Sequence, residues 1–220
     1  MSNQVELEVN HVAFAAPGYT MIRVPEHLLR EIQNECVEIG SKLDQYQDRK
    51  YNKELIGQIE NEFSLTKTPQ VLDNFLGMFC QHYFSYWSKK EITNQKFKIQ
   101  ECWVNFQKKH EYNPVHNHSG ILSFVMWLQI PYNIEEELSL PHSIGSNKPS
   151  ASMFNFHYQN MKGDLSNVSI PVSKEHEGVL MLFPSWLHHS VNPFYTSDEY
   201  RISISGNIHA DSESDYNLFV

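Results

Sequence analysis

Tyr200-Arg201-Ile202-Ser203-Ile204-Ser205-Gly206-Asn207-Ile208-His209 alternates polar and apolar side chains almost from end to end. Successive side chains of an extended chain point to opposite faces, so Arg201, Ser203, Ser205 and Asn207 share one side and Ile202, Ile204 and Ile208 the other. The isoleucines mark a buried face. The polar side is either turned to solvent or the wall of a site. An Arg with a Ser two positions on makes a carboxylate clamp, because the guanidinium fork matches two oxygens and the hydroxyl donates a third bond.

Outward from this strand the same period-two rhythm, rich in β-formers, returns at Phe97 to Phe106, Ile121 to Ile130, Ser152 to Tyr158, Val168 to Val172 and Gly178 to Phe183. Pro114, Pro131, Pro141, Gly145, Pro149, Gly163, Pro184 and Pro193 punctuate the joins. Residues 139 to 152, rich in Ser, Pro and Asn, read as a loop. Before Lys90 the pattern differs. Residues 1 to 24 read as an extended lead-in, and Pro25 sits where a helix begins. Leu29, Ile32, Cys36, Ile39 and Leu43 line one helical face. A second helix opens at Thr68-Pro69 and is expected to bury Leu72, Phe75, Phe79, Tyr83 and Tyr86 or Trp87. No internal repeat is visible. The expectation is one domain over 1–220, α+β but mainly β: helical support in 1–90 and a helix-flanked sandwich or barrel in 91–220.

Three histidines fall around these strands. His116 and His118, at i and i+2 of an extended segment, point the same way, so both can reach one cation about 2 Å from each ring nitrogen. His189 follows the apolar run Leu180-Met181-Leu182-Phe183-Pro184. It adjoins His188, and neighbours in extended structure face opposite sides, so only one of the two enters a site. Arg201 lies twelve residues beyond His189, which places the clamp on the next strand over from the metal. Trp103 and Asn105 share a strand face, from which Asn105 can hydrogen-bond a ligand while Trp103 walls the pocket or belongs to the core. Tyr112 and Trp127 carry the same two readings.

Asn113-Pro114-Val115-His116-Asn117-His118-Ser119-Gly120, Phe183-Pro184-Ser185-Trp186-Leu187-His188-His189 and Arg201-Ile202-Ser203 together resemble the 2-oxoglutarate/Fe(II)-dependent oxygenases, within them a group often phage-encoded or bacterial. The resemblance spans roughly Trp103 to Ile208. It implies a double-stranded β-helix, a cupin-like jelly-roll with the site in its mouth. It implies Fe(II) and 2-oxoglutarate as cofactors, with His116, His118 and His189 at the metal. Arg201 and Ser203 would hold the far carboxylate of 2-oxoglutarate, with Asn105 and Ser205 also on the cosubstrate. One position departs from the family pattern: the residue two after the first ligand is usually Asp or Glu, and here it is His118. Three arrangements answer this: three histidines at iron, two histidines with His118 behind them, or a carboxylate from elsewhere such as Asp164 or Glu177. A three-histidine shell also suits a catalytic zinc, and a non-catalytic cupin-like binding module is the third class of reading.

Composition bounds the partners. A net charge of −9 disfavours a protein whose main work is gripping a phosphate backbone, so the expected substrate is a small molecule or a protein side chain rather than nucleic acid. Three widely spaced cysteines read as reduced thiols in a cytoplasmic chain. No charged leader precedes an apolar stretch, and the expectation is a soluble protein that is not exported and not membrane-bound. Oligomeric state is left open.

Overall fold

The computed structural model describes residues 18–87, 95–160 and 162–210; the first seventeen residues of the expected lead-in and the boundary at residue 90 lie outside them. Ten strands form two sheets in which every strand pair is antiparallel. They are β1 (Thr20–Arg23), β2 (Asn61–Ser64), β3 (Phe97–Gln107), β4 (Asn113–His116), β5 (Leu122–Gln129), β6 (Met153–Gln159), β7 (Leu165–Pro171), β8 (Val179–Pro184), β9 (His189–Val191) and β10 (Arg201–Ala210). The larger sheet runs β1-β8-β5-β10-β3-β2 and the smaller β4-β9-β6-β7. This is the double-stranded β-helix that the family resemblance implies, and it meets the helix-flanked sandwich or barrel expected from the alternating strands.

The larger sheet is buried on both faces, and its side-chain alternation sorts residues between two cores. Val104, Phe106, Phe124, Met126, Leu180, Leu182 and Ile204 point outward into a core shared with two helices, α1 (Glu26–Gly40) and α2 (Thr68–Trp87). Val125, Trp127, Met181 and Phe183 point inward, where Phe154, Phe156 and Ile170 of the smaller sheet meet them. Each fully buried side chain of this kind contributes about 1.5–3 kcal/mol relative to exposure, so the helices hold the sheet rigid behind the site.

The α1 stripe buries Ile32, Cys36 and Ile39 as expected. The α2 face differs from the expected one. Leu72, Leu76, Cys80, Tyr83 and Phe84 are buried, while Phe75, Phe79 and Trp87 sit partly covered on its shoulder and Tyr86 is exposed. That helix is apolar over much of its circumference, so period alone admits two faces. Tyr83 helps fix the choice by donating its hydroxyl to the Gly18 carbonyl at 2.6 Å. Two strands read as something else from sequence: β2 lies in a helix-rich region, and β9 has only three residues. The segment read as a loop after Ser139 carries the short helix α4 (Pro141–Ile144), just after α3 (Ile134–Ser139). No helix among the described residues is long and apolar enough to cross a membrane.

Candidate functional site

The two motif histidines nearest in space are neighbours by register. β4 pairs with β9 so that His116 stands directly opposite His189, and their ring centroids are 4.2 Å apart. Side chains at such a pair share a face and meet. His118 lies beyond the end of β4 rather than on the strand, and is held differently. Its backbone N–H donates to the Ser185 carbonyl at 2.9 Å, and the chain then turns through Gly120 at φ +84, a left-handed conformation that favours glycine. The Ser185 hydroxyl donates to the Gly120 carbonyl, so the Pro184-Ser185 corner clamps the histidine loop. His118 thereby reaches ring-centroid distances of 4.8 Å from His116 and 5.1 Å from His189.

One ligand atom from each of the three lies within 4.8 Å of the others, the one such group among the described residues. Nδ1 of His116 donates to the Pro114 carbonyl at 2.7 Å, and Nδ1 of His189 donates to the Leu187 carbonyl at 3.0 Å. Both tautomers are fixed with the proton on Nδ1, which frees Nε2 as the donor to a metal. Burial pushes the His118 pKa down to about 3, with His116 adding to the effect. Burial likewise holds His189 well below its ordinary value and lowers His116. Neutral imidazole is the form that ligates, so the donors fit a divalent cation. Phe154 stacks on His189 at 5.5 Å and Phe183 meets it edge-on at 5.0 Å, locking the ring. His188, its neighbour, is exposed, as the alternation requires.

The histidines open into a cavity of about 400 Å³ that Arg201, Ser203, Ser205, Asn105, Trp103 and Trp127 also line. Every sequence-predicted site residue is thus in one pocket. Arg201 is 1% exposed. Its Nε and Nη2 donate to Gln107 Oε1 at 3.0 and 2.8 Å, Nη1 to the Tyr132 hydroxyl at 3.0 Å, and Nη2 to the Asn192 carbonyl at 2.9 Å. These partners are all neutral, and among the described residues no carboxylate pairs with the guanidinium. One Nη1 hydrogen is left over. A buried cation without a counter-ion is costly, so a site that keeps one fits an anion brought by a ligand. Asn105 donates to the Ser203 hydroxyl at 3.2 Å, and its own Oδ1 is buried without a partner. An orphaned amide at that depth is a second sign of a missing polar ligand.

The two carboxylates weighed as substitutes for His118 lie elsewhere. Glu177 accepts from the Ile130 backbone at 2.8 Å, Asp164 sits in the turn after β6, and neither lines the cavity. Tyr112 is exposed and outside it too. Gln107, Tyr132 and Glu62 belong to the site's surroundings and were not foreseen. Gln107 ends β3 directly opposite Arg201, a pairing that only the register reveals.

The jelly-roll thus brings three neutral imidazoles and a buried guanidinium to one cavity, a donor set that fits a divalent cation and an anion. Residues 101–207 match the model of the family described as "Putative 2OG-Fe(II) oxygenase", which indicates an oxidoreductase of that kind, with Fe(II) and 2-oxoglutarate as cofactors. The chain is similar to a solved 2OG-Fe(II) oxygenase-family oxidoreductase from Burkholderia pseudomallei, at 14% identity over 87% of this chain and 84% of that one, TM-score 0.50. It is also similar to the non-heme α-ketoglutarate-dependent epimerase SnoN of nogalamycin biosynthesis, at 10% identity over 88% and 76%, TM-score 0.52. A Pseudomonas putida prolyl-4-hydroxylase matches at 17% identity over 89% and 94%, TM-score 0.49. At these identities the similarity to the first two speaks for the fold alone. Among curated proteins none matches.

Proposed function

We propose that the protein is a dioxygenase that hydroxylates a small molecule or a protein side chain, coupling this to conversion of 2-oxoglutarate to succinate and carbon dioxide. In this reading His116, His118 and His189 hold the iron, and Arg201 with Ser203 holds the far carboxylate of 2-oxoglutarate. The observation that carries it is the buried, unpaired guanidinium of Arg201 lining the same cavity as the three imidazoles. An oxygenase uses both parts at once, the imidazoles for the metal and the guanidinium for the cosubstrate's far carboxylate.

Iron with bound 2-oxoglutarate supplies the activation of dioxygen and the oxidising power. The chain's own residues do the rest. Gln107, Tyr132 and the Asn192 carbonyl fix the guanidinium plane, and its remaining Nη1 hydrogen is available to the carboxylate. Phe194 and Tyr132, at 5.3 and 5.8 Å from the guanidinium carbon, shield it from water and so strengthen its pull on an anion. Ser203, fixed by Asn105, donates to the same carboxylate, and Ser205 and Asn105 line the path towards the metal. The Pro114 and Leu187 carbonyls keep His116 and His189 in the ligating tautomer. His118, in the position usually held by a carboxylate, leaves the centre one unit more positive.

A reducing, cytoplasmic setting agrees with three free buried thiols, all raised in pKa by burial, and with a ferrous cofactor. The acidic chain favours a substrate other than nucleic acid. We treat 1–220 as one unit, because β1 and β2 pair with β8 and β3 of the sheet that carries the site. Succinate formation from 2-oxoglutarate tests the reading. It is expected to require Fe(II), to persist without added zinc, and to disappear in Arg201→Ala; 2-oxoglutarate-independent activity supported by zinc alone would overturn it.

A further inference from the structure

The inner face of the larger sheet carries a transverse row of side chains that extends beyond the part assigned to the cosubstrate. Across four strands the register aligns Trp127 of β5, Ser203 of β10, Asn105 of β3 and Glu62 of β2, and all four line the cavity. With neighbouring strands about 4.8 Å apart, Glu62 lies about 10 Å along the row from Ser203. It is a carboxylate two strands away from the strand that carries the Arg201 guanidinium.

Glu62 is 1% exposed, yet it is poorly satisfied for a buried carboxylate. Oε2 accepts from Asn52 Nδ2 at 3.1 Å, whereas Oε1 has no hydrogen-bond partner among the described residues. No basic side chain pairs with it there either. Oε1 points at the space beside Gly57: a methyl group on that glycine would stand 2.6 Å from Oε1 and 2.4 Å from the Asn113 side-chain oxygen. Glycine there keeps both oxygens accessible. The orphaned Oδ1 of Asn105 is the next residue along the row. Glu62 Oε1 and Asn113 Oδ1 therefore face one space, the unpartnered Asn105 Oδ1 belongs to the residue paired with Glu62 on the next strand, and Glu54 adds a second carboxylate to the cavity lining. Among the described residues Arg201 is the one arginine or lysine that lines the cavity, and it stands two strands from Glu62.

Burial, with Glu111 adding to it, pushes the Glu62 carboxyl up to about 7, as fits an acid that lacks its counter-ion. We propose that Glu62, with the Asn105 and Asn113 side-chain oxygens beside it, is a substrate subsite for a cationic nitrogen, so that the substrate is an amine carrying its ammonium at this end. An ammonium is a donor-only group, and it would satisfy all three acceptors while pairing the buried charge. The identification of this ligand as the substrate rests on the oxygenase reading; the binding of an amine does not.

The full-length protein, kept anaerobic, is titrated calorimetrically with spermidine, agmatine, L-lysine amide and glucosamine, and with norleucine amide and glucose as neutral counterparts. Each titration is run with metal alone and with Fe(II) and 2-oxoglutarate. At least one amine is expected to bind, its neutral counterpart at least tenfold more weakly. Glu62→Gln, which keeps the side chain's shape and an acceptor for Asn52, is expected to lose at least tenfold in amine affinity while remaining folded and binding 2-oxoglutarate as before. Gly57→Ala is expected to weaken the amine in the same direction. Equal binding of neutral counterparts, no binding of any amine, or an unchanged affinity in Glu62→Gln would overturn the proposal. So would a parallel loss of 2-oxoglutarate affinity in that variant, which would assign Glu62 to the cosubstrate. Amine binding in a protein that does not bind 2-oxoglutarate would leave the subsite standing and remove the oxygenase reading.

Discussion

Glu35 and Glu62 are both buried carboxylates, and their surroundings differ completely. Glu35, on α1, accepts from the backbone amides of Thr66, Lys67 and Thr68 and from the Thr68 hydroxyl at distances of 2.8 to 3.1 Å, with Arg49 at 3.4 Å. Burial raises its pKa, but these amides and the hydroxyl together outweigh that and hold it below the usual carboxylate range. It ties α1 to the start of α2. Glu62 has one side-chain donor and a pKa moved the other way. Arg201 resembles Glu62 in lacking an opposite charge, and Glu137, which accepts from Tyr195, Thr196 and Ser152, resembles Glu35. The lesson is that the fold saturates the charges it uses for itself and leaves unsaturated the ones that face the cavity.

The strongest test of that division is at Arg201. Replacing it with Leu is expected to weaken 2-oxoglutarate by 100-fold or more, in line with roughly 2–5 kcal/mol for truncating one member of a desolvated charge pair. Calorimetric titration of 2-oxoglutarate reads this directly, and an affinity within threefold of the wild type would place the cosubstrate elsewhere. Arg201→Lys, which keeps the charge but not the fork, is expected to fall between the two.

Glu35→Gln should do the opposite. It leaves several amides short of a charged acceptor, so unfolding free energy is expected to fall by about 3 kcal/mol with 2-oxoglutarate affinity unchanged in the folded protein. Urea unfolding checks the first part. A variant as stable as the wild type would show that the saturation at Glu35 contributes little.

The pH dependence of stability gives a finer contrast. Glu62 is raised from its ordinary 4.5 to about 7, so the folded state holds a proton that the open chain has lost between those values. Its contribution is therefore present below pH 4.5 and lost as pH rises through 7. Glu35, depressed, contributes above 4.5 and loses that contribution as pH falls through its lower folded value. The neutral histidines also favour the higher pH, so the quantity to measure is wild type minus Glu62→Gln. That difference is expected to decline from pH 4.5 to 7 and then level off; a flat difference would mean that Glu62 titrates in the folded protein as it does in the open chain. The smallest effect is expected at Ser205→Ala, about fivefold or less in the KM for 2-oxoglutarate, consistent with one neutral hydrogen bond of about 1 kcal/mol.

Much of the molecule was legible because two signals are local. Alternation over ten residues fixed both faces of β10, and the order His116, His118, His189, Arg201 placed imidazoles and cation around one mouth. What escaped depends on register or on short segments. Gln107 meets Arg201 across ninety-four residues of sequence, and nothing near either residue announces it. Glu62 sits on a four-residue strand, too brief for period two to be seen, and its depth is set by β3 alongside. His118 reached the other two imidazoles by a different route from the one expected: a loop pinned by Ser185, instead of the i, i+2 geometry of a strand. On α2 the excess of apolar residues hid which face the sheet would choose.

The central claim is that three imidazoles and one unpaired guanidinium serve a single ferrous, dicarboxylate-binding centre. Anaerobic titration of the protein with Fe(II) and 2-oxoglutarate, followed by the metal-to-ligand charge-transfer band, tests it most directly. The account predicts a band that saturates at one equivalent of each, shifts to far higher 2-oxoglutarate concentration in Arg201→Leu, and is lost in His116→Ala and His189→Ala. The absence of a band in the wild type, or one indifferent to Arg201 and to the histidines, would contradict it.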